Sequence, residues 1–157
     1  MRQFGTLSAL VFLAACAVPA TQTAPDPEPE NAAPEAALPK PAAPPPSART
    51  VEQFDTTTAE ERAEVVKAAA TPAQDRALGT TVASLGDPTD PGFWLKTPLV
   101  SSEQPGRVTY PAAGTSVAVT LIPIDGPSTG GSRLSLPAMR LLQAPLTGLP
   151  EVTVFAR

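Results

Sequence analysis

The chain has 157 residues, with 11 Lys and Arg against 15 Asp and Glu, a formal net charge of −4 at pH 7, one cysteine and no histidine. Without histidine there is no commonest general base, no Ser-His-Asp arrangement and no His-containing metal site. No Lys/Arg stripe gives nucleic acid an electrostatic footing, and a lone cysteine leaves no disulfide within the chain.

The N-terminus begins with Arg2 and an uncharged, mostly apolar stretch over residues 4–15. That stretch is too short for a permanent membrane span, and its small-residue end marks residues 1–15 as a cleaved signal peptide. Leu13-Ala14-Ala15-Cys16 resembles the lipobox of bacterial lipoproteins. The resemblance implies cleavage after Ala15, diacylglyceryl transfer to Cys16 Sγ and acylation of the new amine. The plainer alternative is a secretory signal with an unrelated cysteine. Each acyl methylene buried in a bilayer contributes about 0.8 kcal/mol, so two or three chains would hold the protein firmly at a membrane. Residue 17 is alanine rather than aspartate. By the sorting rule of such lipoproteins this implies lipid anchoring in the outer membrane, facing the periplasm.

Residues 16–54 read as the lipidated N-terminus and a Pro/Ala-rich disordered linker, because ten of the 21 prolines lie between Pro19 and Pro46 and no apolar period is present. An extended tether of this kind could reach on the order of 100 Å. Residues 55–78 read as a helical segment. Thr58 and Glu61 form a capping box, followed by a thin stripe of Ala59, Ala63, Val66 and Ala70. Thr71-Pro72 then reads as the start of a second helix that stops at Gly79. The pair is expected to pack weakly, outside the main core. Residues 17–78 carry ten acidic and five basic residues, whereas residues 79–157 carry five of each.

Residues 79–157 read as a small β-rich domain. A strand at Thr80–Gly86 leads to the turn Asp87-Pro88-Thr89-Asp90-Pro91-Gly92, then to the densest apolar cluster, Phe93, Trp94, Leu95, Leu99 and Val100. A strand at Gly106–Pro111, a turn and a second strand follow, the latter with Val117, Val119 and Leu121 alternating against Ala118, Thr120 and Ile122. Gly126–Arg133 reads as a flexible loop. Ser135 caps a short helix that turns Leu136, Met139 and Leu142 inward, with Pro137 in its first turn, and residues 151–156 close as a strand with Val152 and Val154 on one face.

The order "RVTYP", "GTSVAVTL", "DGP", "SRLSLPAMRLL" and "VTV" over residues 106–155 resembles the second half of the double-psi β-barrel in the rare lipoprotein A family. The fold class this implies is mainly β: a small double-psi β-barrel-like domain with short helices, preceded by the disordered linker and the helical segment. Several members of that family are lytic transglycosylases that cut peptidoglycan with an aspartate in the loop after the strand. Here that aspartate's place falls on Pro123 counting from Ser116-Val117, or on Ile124 counting back from Gly126-Pro127, and the nearest acid is Asp125. On a strand, a one-residue slip turns a side chain to the other face. Separately, residues 84–100 resemble short envelope lipoproteins labelled D-galactarate dehydratase, but a chain this small with no obvious metal or iron–sulfur ligands does not suit sugar-acid dehydration.

Asp125 is therefore the candidate catalytic acid, with Glu103 a distant second; a turn-forming role for Asp125 is the alternative, since Asp-Gly-Pro is strong turn chemistry. Trp94 is a candidate sugar-stacking residue or a core residue. Asp87 and Asp90 suit turn caps better than calcium ligands. No metal and no cofactor is expected. These readings point to an envelope lipoprotein whose barrel is a non-catalytic module for binding the cell wall or another envelope protein. The alternative is a divergent lytic transglycosylase acting on peptidoglycan.

Overall fold

The computed structural model describes Leu38, residues 41–71 and residues 75–157. Ala15 and Cys16, with the expected signal peptide of residues 1–15, lie outside the described residues. Two helices come first, α1 (Val51–Phe54) and α2 (Ala59–Ala69). Six strands follow, β1 (Arg76–Leu85), β2 (Trp94–Thr97), β3 (Gln104–Tyr110), β4 (Thr115–Pro123), β5 (Ser132–Leu134) and β6 (Glu151–Ala156), with α3 (Leu136–Leu141) between the last two.

The strands form one closed barrel in the order β1-β5-β2-β4-β3-β6. The fold class is thus mainly β, with few and short helices. Two pairs are parallel, β1 with β5 and β2 with β4; the others are antiparallel. Exchanging β1, β2 and β3 for β4, β5 and β6 leaves this ring of pairings unchanged, so the two halves share one connectivity. In each half the first connection, residues 86–93 or 124–131, crosses from a long strand to a short one that is not its neighbour.

Alternation along the strands fills the barrel. Val117, Val119 and Leu121 of β4, Val152 and Val154 of β6, Val108 of β3, Leu95 of β2 and Leu134 of β5 are all fully buried. Each such side chain contributes about 1.5–3 kcal/mol relative to exposure. Ala118 points to the other side of β4 yet is also buried, because α2 packs on β4. Ser135 is the N-cap of α3, whose Leu136 and Met139 are buried together with Leu142.

The capping box of α2 is present, Glu61 N donating to Thr58 Oγ1 at 3.2 Å and Thr58 N to Glu61 Oε2 at 2.7 Å. The buried face of this helix is Val65 and Ala69, both in the main hydrophobic cluster, while Val66 is exposed. The expectation of a weakly packed helix outside the core is corrected accordingly. The small side chains let α2 lie close on the sheet. No second helix runs to Gly79. Residues 76–82 are instead strand, drawn into register with β6 along their length, a tertiary pairing that overrides the local helix signal.

The C-terminal part of the expected linker is also corrected. Pro41 and Ala48 are buried, Thr56 Oγ1 donates to the Ala42 carbonyl at 2.6 Å, and α1 falls within residues 16–54. Asp55 fixes this strap. Its side chain, 2 % exposed, accepts hydrogen bonds from Arg140 Nη1 at 2.6 Å and Thr57 Oγ1 at 2.5 Å, with Arg62 at 3.4 Å. A buried carboxylate needs such partners to offset its desolvation.

Candidate functional site

Residues of the β4–β5 connection line three depressions on the barrel surface. Ile124 N still donates to the Thr97 carbonyl at 3.3 Å, so the ladder continues one residue past β4 before the chain leaves it at Asp125-Gly126. Gly126 has φ +140°, which side-chain-bearing residues rarely adopt, and Gly130 N donates to the Pro127 carbonyl at 2.8 Å to turn the chain back. The sequence therefore breaks here because of its glycines and proline, and Asp125 is carried outward on the break.

Asp125 is exposed and takes part in none of the side-chain hydrogen bonds or ion pairs among the described residues. It borders two shallow depressions. One is shared with Val100, Ser101 and Pro123; the other, about 400 Å³, is shared with Val82, Ser84, Ser132, Arg133 and Leu149. Neither depression holds a second carboxylate. The floor of the second depression, the one shared with Ser132 and Arg133, is stiff. Ser132 is buried and its hydroxyl bonds Thr81 Oγ1 and Thr97 Oγ1, each at 2.9 Å, with Leu99 N donating to Thr97 Oγ1 at 3.3 Å. Burial makes each of these hydroxyls costly to leave unpaired, and the chain satisfies all three.

Arg133 on β5 is exposed and, like Asp125, has no ion-pair partner among the described residues. Leu149 is 70 % and Val82 43 % exposed. The face thus offers a carboxylate, a guanidinium, hydroxyls and the aliphatic side chains of Val82, Ile124 and Leu149, and no aromatic ring. A third depression, bordered by Thr80, Ser128, Thr129 and Glu151, shares Val82 with it.

Trp94 does not contribute to this face. The residue is 4 % exposed, its Nε1 donates to the Asp90 carbonyl at 3.1 Å, and Lys96 Nζ lies 4.5 Å from the ring centroid. Gly86 is required beside it, since a Cβ there would collide with Cη2 and Cζ3 of the indole. Lys96 in turn pairs with Asp90 at 2.8 Å. Asp87 accepts from Thr89 Oγ1 at 2.7 Å and Thr89 N at 2.8 Å, and these bonds, the side-chain one foremost, hold its carboxyl below the ordinary aspartate value. Both acids of the β1–β2 connection thus have partners, Asp87 within it and Asp90 on β2.

Glu103 is exposed and borders a separate cavity of about 350 Å³ with Leu38, Ala68, Gly106, Val119 and Arg157. The structure therefore does not bring Glu103 and Asp125 to one depression. Among the described residues no group of three or more Cys, Asp or Glu is placed to hold a metal ion, and no helix is long and apolar enough to cross a membrane.

Two acids with structural duties carried no signal in the sequence. Asp55 meets Arg140 across 85 residues of chain. Asp75 meets Arg107 Nε at 2.5 Å and lies 3.3 Å from Arg157 Nε, the latter an ion pair without hydrogen-bond alignment, so that Asp75 Oδ1 accepts no bond. No family model, curated protein or solved structure matches this chain.

Proposed function

We propose that the chain is an envelope lipoprotein, anchored through an acylated Cys16 in the outer membrane, whose barrel binds the cell wall or another envelope protein without catalysing a reaction. The Leu13–Cys16 pattern and the proline-rich stretch after it support the anchor and the tether. The two-fold connectivity of the ring, with its two parallel pairs and crossing loops, supports a double-psi barrel. The observation that carries the binding reading is the open face around residues 124–131, where Asp125 and Arg133 have no ion-pair partner among the described residues and stand beside exposed Val82 and Leu149. A carboxyl that must carry a proton at neutral pH to cleave a glycosidic bond is ordinarily enclosed in a water-poor pocket. Asp125 is open to water.

Sedimentation of the full-length protein with purified peptidoglycan sacculi tests this reading, and retention in the pellet without release of soluble fragments is the expected result. Mass measurement of the native protein tests the anchor, with the mass of two or three acyl chains expected on a chain that starts at Cys16. A second reading keeps Asp125 as the acid–base group of a lytic transglycosylase, favoured by its place beside two depressions. Anhydro-muropeptides that vanish in Asp125→Asn would establish that enzyme and overturn the first reading.

A further inference from the structure

We infer that the open face recognises the peptide part of peptidoglycan rather than its glycan strand; this rests on the cell-wall reading above. Glycan recognition ordinarily uses an aromatic ring to cover the apolar face of a sugar. The tryptophan that could do so is buried at the start of β2, beside the other connection, and no aromatic side chain borders the three depressions around residues 124–131. What borders them instead matches a short peptide. Arg133 suits a terminal or side-chain carboxylate, for which a guanidinium offers paired donors. Asp125, and Glu151 in the adjoining depression, suit a free amine. Val82 and Leu149, two of the four exposed large hydrophobic residues among those described, lie where small alkyl side chains could rest. A peptidoglycan stem carries all three features: carboxylates, a diamino acid and methyl side chains.

The geometry adds a reason for selectivity. The Thr81–Ser132–Thr97 hydroxyl chain fixes β5 beneath Arg133, so the guanidinium springs from a stiff base. Less side-chain and backbone ordering then opposes binding.

The experiment uses the full chain in detergent micelles with three probes: intact sacculi, sacculi stripped of stem peptides by an amidase, and a soluble stem tetrapeptide. The expected result is retention on intact sacculi, loss of at least about tenfold in affinity for stripped glycan, and saturable binding of the tetrapeptide. Arg133→Gln and Asp125→Asn should each weaken tetrapeptide binding about tenfold, and Glu64→Gln, on the exposed side of α2, should leave it unchanged. Unfolding curves that superimpose on the parent protein's establish that the variants are folded. Equal retention on intact and stripped sacculi would overturn the peptide inference and leave the cell-wall reading standing. Retention on neither would remove the cell-wall reading itself. Tetrapeptide affinity unaffected by both charge changes would place the peptide on another face and overturn the assignment.

Discussion

Residues 86–93 and residues 124–131 are equal in length and equivalent under the exchange that maps one half of the barrel onto the other. Each contains aspartate, proline and glycine. In the first, Asp87 is bonded to Thr89, Asp90 is paired with Lys96, and the Trp94 indole fills the space beneath. In the second, Asp125 has no bonded partner among the described residues, and Gly131-Ser132 stands where the first loop ends in Phe93-Trp94. The same topological slot is filled in one half and left open in the other, and the deciding difference is the size of the residues that lead into the short strand. Polar residues above a filled slot become structural. Above an open one they remain available to a ligand.

The sharpest way to break this comparison is to empty the filled slot. Trp94→Ala should destabilise the protein by about 3–5 kcal/mol in urea unfolding, the usual cost of deleting a large buried aromatic. Asp125→Ala should change stability by no more than about 0.5 kcal/mol. Similar losses from the two would remove the distinction between the loops. Next in size is Gly86→Ala, whose added methyl overpacks the indole at about 1–3 kcal/mol. Placed in the Trp94→Ala background the same change should cost markedly less, and additive costs would show that the ring is not what Gly86 accommodates.

The smallest expected effect concerns pH. Because the Asp87 carboxyl is held below its ordinary value in the folded chain, its bonds to Thr89 contribute stability above the unfolded value, and that contribution is lost as pH falls through the lower folded value. A carboxyl-carbon NMR titration should show this low midpoint, and Thr89→Val should raise it toward the ordinary range. An unmoved midpoint would mean that the loop is not closed through Asp87.

Much of the barrel was legible because its strands show a period. The alternation in residues 115–123 and 151–156 marked the inward faces, and Ser135 and Thr58 marked helix starts. β5 was missed because three residues are too few for a period, and the preceding Ser-Thr-Gly-Gly reads as loop. β1 was misread at its start because Arg76–Leu78 takes its conformation from β6, far along the chain. The strap at residues 41–57 has the composition of a linker, and its attachment depends on Asp55 finding Arg140, which no local pattern reports. The candidate site was half legible. Asp-Gly-Pro announced a turn and an outward carboxylate, but its grouping with Arg133, Val82 and Leu149 arises only when the barrel closes.

Closure also has a consequence in time. β6 pairs with β1 on one side and β3 on the other, although it is the last of the six strands along the chain. A chain growing from its N-terminus therefore makes most of its barrel before the piece that completes it. Folding dominated by such distant pairings is slow, on the scale of milliseconds to seconds. Until Glu151–Ala156 arrives, β1 and β3 each present an unpaired edge, and during that interval either is open to a strand from another molecule.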